Sequence, residues 1–305
     1  LLKILSRKSL IDETAQRVLG LGGRAQTLVV TVAEQVDAMR QELRALPRAN
    51  FIAEPQGKNT APCIGLAALE ILRRDPDGVM VVLPADHWVK DGKEFQRVLK
   101  TAVDLAVRQD RLVTIGIRPD YPETGYGYIM KGQAIAGRAA TFQVKRFTEK
   151  PNEANAKKLM RQGSLWNSGI FVWKAATLIE LLNRYQPEIG ARLNAISTAA
   201  KGKSLGNPSV QLNAAIAREY KKMPSISIDY AVLEKAGAEG KVLTLEADFG
   251  WSDVGSWAAV HRMMHKDTQG NAGTGQWLQL GAKNCLIHSP DRLIVLLGID
   301  YAVVV

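Results

Sequence analysis

Cysteine is scarce in this chain. Among 305 residues only Cys63 and Cys285 occur, too few and too far apart for a disulfide framework or a cysteine-based zinc site. A reducing compartment is the expectation, and with it a cytoplasmic location. Long apolar runs are missing too. The longest, Leu293–Val305, is interrupted by Asp300 and is too short to span a bilayer. Leu1–Leu5 has no adequate apolar core and no small-residue cleavage site behind it, so no secretory leader is expected. The glycine-rich GxxxxGK loop followed by Ser or Thr is absent, as are GxGxxG and the GxSxG elbow of hydrolases. Of only 4 histidines, His261 and His265 stand at helical spacing. Arg262 sits where a zinc protease needs its glutamate, so the pair reads as an ordinary helix face.

What is present is a globular composition. Hydrophobic residues at 46% and charged residues at 23% exclude wholesale disorder, and the length fits one large α/β domain, alone or with a small appendage. Forty Lys+Arg against 30 Asp+Glu give a net charge of +10. The basic residues form no run longer than two and are not interleaved with aromatics. A small anionic substrate or a solvated basic surface is expected, and no nucleic acid or membrane.

Strand and helix patterns alternate along the first two-thirds. Ser9–Leu19 reads as a helix opened by Ser9 with Asp12 and stopped by Gly20, Gly22 and Gly23. TLVVTV (27–32) reads as a buried strand. Thr31 and Glu34 are expected to cap a second helix with the stripe Val32, Val36, Met39, Leu43 and Leu46. Residues 50–54 are strand-like, and a third helix from Asn59 to about Arg74 is apolar almost all round. GVMVVLP (78–84) has the pattern of a central parallel strand, followed by a helix over 93–108 and a strand over 111–117. This rhythm predicts an open, mostly parallel sheet wrapped by helices. From about Asp267 glycines punctuate the chain, and short strands with turns at Ser289–Asp291 and Gly298–Asp300 predict a small C-terminal β module over 267–305.

In such sheets ligands gather beyond the carboxyl ends of strands, which singles out Glu54–Thr60, Pro84–Trp88 and the turn Gly125–Tyr128. Asp86 ends the run VVLPAD and is either a magnesium ligand on a rigid strand end or the cap of the next turn. His87 beside it reads as a packing residue. The turn ETGYGY (123–128) lets backbone amides approach a ligand, or simply feeds a strand. FTEKP (147–151) places Glu149 and Lys150 at a strand end before a helix from Asn152 to Met160; adjacent opposite charges are ordinarily a solvated pair. In WNSG (166–169), Asn167 is a two-way hydrogen bonder suited to sugar hydroxyls or a turn residue. Asp253, in GWSDVGSW (250–257), is a second metal ligand or the cap of a helix over Ser256–Met264.

The order of these motifs carries more than any one of them. EPQGKNTAP (54–62), VVLPADH (81–87), ETGYGYI (123–129), FTEKP (147–151), WNSGIF (166–171), SIDYAVLEK (227–235) and FGWSDVGSW (249–257) together resemble the bacterial mannose-1-phosphate guanylyltransferases of the sugar-phosphate nucleotidyltransferase family. The resemblance implies a Rossmann-like α/β nucleotidyltransferase domain over 1–266 and the start of a small β-helix-like module over 267–305. It implies a magnesium-assisted reaction in which mannose 1-phosphate attacks the α-phosphate of GTP, giving GDP-mannose and pyrophosphate. By the same resemblance Asp86 and Asp253 hold the metal, and Lys150 meets the sugar phosphate. Glu149 and Asn167 bind sugar hydroxyls, and Gly127 supplies a backbone contact. Glu54, Asn59, Thr60 and Pro84 lie in the nucleotide-binding stretches. A homodimer is expected from the exposed edges of a small β module.

The resemblance departs at the front. The family's GGxGTRLxPL loop and the PK motif after it have no counterpart in residues 1–305. The expectation is a loop that belongs to the molecule outside these residues; a truncated or non-catalytic form is the alternative. A sister enzyme using another base or hexose and a regulatory GDP-mannose-binding homologue also stay open.

Overall fold

The computed structural model describes residues 3, 6, 8–138 and 140–305; most of Leu1–Leu5, on which the leader expectation rests, lies outside them. Helix α1 (Leu10–Gln26) is followed by β1 (Val29–Val32), α2 (Val36–Glu42), β2 (Phe51–Glu54), α3 (Thr60–Arg74), β3 (Val79–Val82), β4 (Trp88–Val89) and α4 (Gly92–Gln109). Then come β5 (Leu112–Ile117), β6 (Tyr128–Ala134), β7 (Thr141–Thr148), α5 (Glu153–Arg161), β8 (Leu165–Lys174), α6 (Ala175–Tyr185), α7 (Pro187–Ala200) and α8 (Val210–Lys221). The chain closes with α9 (Glu234–Ala238), β9 (Val242–Ala247), β10 (Trp251–Ser252), α10 (Trp257–Met263), β11 (Ala272–Leu280), β12 (Leu286–Leu297) and β13 (Val303–Val304). Two compact units result. The larger holds Ala15–Pro84 and Lys90–Gly250; the smaller holds the described part of Leu1–Thr14, Ala85–Val89 and Trp251–Val305.

The larger unit is built on a six-stranded sheet in the order β3-β8-β5-β9-β7-β6. It is mixed rather than mostly parallel, a correction to the sequence-based expectation. Among its pairings only β5–β9 is parallel, whereas β8 runs antiparallel to β3, β5 and β6, and β7 antiparallel to β6 and β9. An apolar run shows that a strand is covered on both faces but not which way it points. All six residues of β5 are buried, as a strand between helical layers must be. One core joins Leu66 of α3, Leu182 of α6, Leu193 of α7 and Tyr220 of α8 to Leu112, Phe171 and Trp173 of the sheet. Helix α4 buries Phe95, Val98, Leu99, Ala102, Leu105 and Ala106 at helical spacing, and Asp91 caps it by accepting from the amides of Lys93 and Glu94. Strands β1 and β2 pair in parallel in a sheet of their own.

Of three local expectations, one needs correction and two need sharpening. Helix α1 runs past Gly20 and Gly22, where a glycine weakens a helix by about 1 kcal/mol without ending it, and breaks at Gly23, φ 74° and ψ 177°, a kink between two helical stretches. The second helix is shorter than its stripe, with a 3-10 turn over Ala33–Gln35 and no side-chain cap; the Thr31 hydroxyl donates to Gln35 Oε1 instead. In the smaller unit β12 is one strand through Ser289–Asp291, and the expected turn takes the form of a bulge there: Gly275 pairs with Ser289 and Trp277 with Ile294, so residues 290–293 of β12 stand opposite Gln276 alone.

Strands β11, β12 and β13 form a parallel sheet whose core includes Ala282, Cys285, Ile287 and Leu296. Buried Asn271 organises its start, donating to Asp267 and to the Ala282 carbonyl and accepting from the Cys285 amide. Among the described residues no helix is long and apolar enough to cross a membrane.

Candidate active site

In the larger unit, sheet register gathers one group of residues. Tyr128 stands opposite both Thr148 and Trp166. One step further along these antiparallel pairs, Gly127, just before β6, lies between Glu149, just after β7, and Asn167 within β8. The Asn167 amide donates to the Gly127 carbonyl at 2.8 Å. A Cβ on Gly127 would come within 2.5 Å of Glu149 Oε2 and 3.4 Å of Asn167 Cβ, so only glycine leaves this end open. The preceding turn is braced by Glu123 Oε1, which accepts from the amides of Thr124 and Gly125. Tyr121 and Tyr126 meet Trp166 edge-on.

Lys150 occupies the left-handed region at φ 43° although it is not glycine and precedes Pro151, a strain of about 1–2 kcal/mol. Its Nζ lies 3.8 Å from Glu149 Oε1, and its side chain is 67% exposed. Burial, with Asp229 adding to it, pushes the Glu149 carboxyl above the usual carboxylate range, against the pull of Lys150. Asn167 is fully engaged on one side. Its Oδ1 accepts from the Thr114 hydroxyl at 3.3 Å and the Gly169 amide at 3.2 Å, and its Nδ2 donates to Asp229 Oδ1 at 2.7 Å. Asp229 is a site residue that sequence reasoning missed. SIDYAVLEK stands out as a motif, but nothing local shows that its carboxylate serves a side chain 62 residues away. Asp229 opens a π-helical turn, Asp229–Leu233, that runs on into α9, a local irregularity often found at functional positions.

The nucleotide-motif residues follow β2. Glu54 is 7% exposed and faces inward: the Tyr220 hydroxyl donates to its Oε1. Burial raises its proton affinity, while the hydrogen bonds from Tyr220 and Cys63 oppose that. Burial and the neighbouring Glu54 push the Cys63 thiol up, so it stays protonated. Asn59 and Thr60, by contrast, are exposed. Asn59 holds a strained backbone, φ 64° and ψ −172°, and its side chain accepts from the Thr60 amide at the start of α3. The loop is bolted to a distant segment. Lys58 Nζ donates to the Lys221 carbonyl at 2.8 Å and to that of Met223, the Ala61 amide donates to the Ile226 carbonyl at 3.1 Å, and the Ile228 amide donates to Thr60 Oγ1 at 2.8 Å. Pro84, partly exposed, stands two residues beyond β3.

In the smaller unit, β4 and β10 pair antiparallel with Ser252 opposite Trp88, so Asp86 and Asp253 extend from the same end of one short ribbon. The Asp86 side chain is 79% exposed. Asp253 Oδ1 accepts from the Gly255 amide at 3.0 Å, and Val254 between them is strained at φ 55°. The helix cap expected as an alternative for Asp253 is supplied by Ser256, which accepts from the Ala259 amide. His87 is a packing residue: Trp251 Nε1 donates to its Nδ1 at 3.1 Å. Among the described residues no group of three or more His, Cys, Asp or Glu could hold a metal ion. A pair of carboxylates that leaves the remaining positions to water and phosphate is nonetheless a hard-oxygen donor set suited to magnesium.

The nucleotidyl transferase family profile matches residues 1–270. The mannose-1-phosphate guanylyltransferase of Escherichia coli is 37% identical over an alignment covering 100% of this chain and 63% of that protein. The xanthan biosynthesis protein XanB of Xanthomonas campestris pv. campestris is 38% identical, covering 100% of this chain and 62% of its own. The chain thus spans less than two-thirds of the length of these curated relatives. A crystal structure from Thermus thermophilus, described as a mannose-1-phosphate geranyltransferase, matches with a TM-score of 0.83 at 29% identity, covering 96% of this chain and 81% of that one.

Proposed function

The chain belongs to the nucleotidyl transferase family, and from that premise we propose that it joins GTP and α-D-mannose 1-phosphate into GDP-mannose with release of pyrophosphate. The observation that carries this reading is the group Gly127, Glu149, Lys150 and Asn167 at β6, β7 and β8, where hydrogen-bonding groups for hydroxyls lie beside an exposed ammonium. The guanine and mannose come from the names of the full-chain relatives.

In this proposal the sugar phosphate is the nucleophile. A phosphate dianion needs no protein base at neutral pH, so the residues have only to position two polyanions and lower their repulsion. Lys150 meets the sugar phosphate as a compact point charge. Glu149 and Asn167 take sugar hydroxyls, and Gly127 lets its backbone come close. Asn59 and Thr60, exposed at the start of α3, receive the nucleotide, with Glu54 and Pro84 in the neighbouring nucleotide-binding stretches. Asp86 and Asp253 would hold a magnesium ion, which when bound offsets charge on the α-phosphate. We further propose a division at 266/267, with the parallel sheet of β11–β13 opening a β-helix-like module, a homodimer, and a cytoplasmic location, in keeping with two free thiols.

The test is pyrophosphate release by the full-length protein, offering each nucleoside triphosphate with mannose 1-phosphate or glucose 1-phosphate and magnesium. Selective turnover of GTP with mannose 1-phosphate is the expected result. Turnover of another pair replaces this reading with a sister specificity, and tight GDP-mannose binding without turnover replaces it with a regulatory role.

A further inference from the structure

Asn167 is not the two-way hydrogen bonder its residue type allows. Both acceptor directions of its Oδ1 are taken, by the Thr114 hydroxyl and the Gly169 amide, and Thr114 is fully buried. One of its two amide hydrogens goes to Asp229 at 2.7 Å. A planar amide held on both ends cannot flip, and it has one N–H left to offer.

We propose that Asp229 is the positioning residue of the sugar subsite: its carboxylate locks the Asn167 amide so that a single donor meets one sugar hydroxyl. This deepens the functional reading above and rests on it. Other acids stand close by. Glu149, Asp229 and Glu234 lie close enough for Asp229 to raise the proton affinity of the other two, in each case after burial, with Lys150 and Arg146 as the opposing cations. A hydroxyl fits such a place, because it accepts from Asn167 and donates to a carboxyl. A carboxylate or phosphate substituent on the sugar would meet like charge, and a fluorine could accept but not donate.

Asp229 is itself placed by the nucleotide motif. The Ile226 amide donates to the Lys58 carbonyl at 3.3 Å, the Ala61 amide to the Ile226 carbonyl at 3.1 Å, and the Ile228 amide to Thr60 Oγ1 at 2.8 Å. Only one peptide bond separates this tether from Asp229. The spacing between the nucleotide stretch and the sugar subsite is therefore set within residues 226–229.

The experiment is steady-state kinetics of the full-length protein with Asp229→Ala and Asp229→Asn. Removing a hydrogen bond to a charged acceptor is expected to raise KM for mannose 1-phosphate by about 10- to 100-fold in Asp229→Ala, leaving KM for GTP within about 2-fold. Asp229→Asn keeps an oxygen for Asn167 to donate to and restores most of the loss. A KM for the sugar phosphate that does not move, or equal rises in both KM values, overturns the proposal. Should Asp229→Ala fail to fold, Thr114→Val frees the other end of the amide and is held to the same sugar-specific result. Wild-type protein that does not use mannose 1-phosphate overturns the functional reading itself, and that control is read before any variant.

Discussion

Two sets of acidic side chains, one in each unit, behave differently. In the larger unit buried Glu54 and Glu70 and half-buried Asp229 are already committed: Glu54 to Tyr220 and Cys63, Glu70 to Arg73, Arg74, Ser204 and the Leu205 amide, Asp229 to Asn167. In the smaller unit Asp86 is largely exposed and half-buried Asp253 accepts from the Gly255 amide. A buried carboxyl that has its partners fixes geometry and has little left for a ligand. A carboxylate at the open end of a strand ribbon can still meet a cation. The same residue type thus serves construction at Glu54, Glu70 and Asp229 and, in the proposed function, cation binding at Asp86 and Asp253.

Exchanging the two ribbon-end acids should have the largest effect and should touch only the chemistry. Asp86→Asn and Asp253→Asn are each expected to lower turnover about 100- to 1,000-fold, the scale of losing a metal ligand's several kcal/mol of transition-state stabilisation. For Asp86→Asn the melting temperature should stay within about 2 °C, since a largely exposed carboxylate contributes little to stability. Pyrophosphate release and thermal unfolding on the same samples check both halves, and a large drop in melting temperature would erase the contrast between the units. The mirror experiment is Glu70→Ala. Glu70 is fully buried with two arginines about a third exposed, and its removal should cost about 3 kcal/mol in urea unfolding with both KM values unchanged.

An intermediate case sits at Gly127. Alanine there places a Cβ 2.5 Å from Glu149 Oε2. The far end of a glutamate can swing away, so stability should fall by about 1 kcal/mol or less. The displaced carboxyl is expected to raise KM for the sugar phosphate about 10-fold with KM for GTP unmoved. A rise in both would mean that Gly127, Glu149 and Asn167 are not a separate subsite.

How much of this the sequence disclosed depends on the range of each interaction. Elements written as local periodicity were legible: α3, α4, β3 and β5 lie within a residue or two of where their patterns put them. Site positions carried by short motifs were legible as candidates, because strand ends and glycine turns are local features. Strand direction was not, since β8 carries the same apolar signal whichever way it enters between β3 and β5. Nor were partnerships across the chain. That Glu54 turns inward depends on Tyr220, 166 residues on, and that Asn167 only donates depends on Asp229 and Thr114. Backbone strain at Asn59, Lys150 and Val254 falls inside three motifs read from sequence, yet positive φ at a non-glycine residue is imposed by tertiary packing and leaves no mark in composition.

The smallest effect separates buried acids from one another through pH. Burial tends to raise the pKa of Glu70, but hydrogen bonds from Arg73, Leu205 and Arg74 outweigh it and hold the group below its ordinary value. Its contribution is therefore complete above the ordinary carboxylate pKa and is lost as pH falls through the lowered one. Glu54 is the reverse. Burial holds its pKa above the ordinary value of 4.5, so the folded state binds the proton more tightly than the unfolded chain. Its contribution is present below that value and is lost as pH rises through the raised one. Glu54→Gln keeps an acceptor for Tyr220 while removing the ionisation. At pH 4 the variant and wild type should unfold at similar urea concentrations; by pH 8 the variant should be the more stable by about 1 kcal/mol or less. A Glu54→Gln protein that loses stability on the alkaline side would show that the carboxylate is ionised in the fold, and the inward-facing acid would then have to be counted with Asp86 and Asp253 as charge kept available for a ligand.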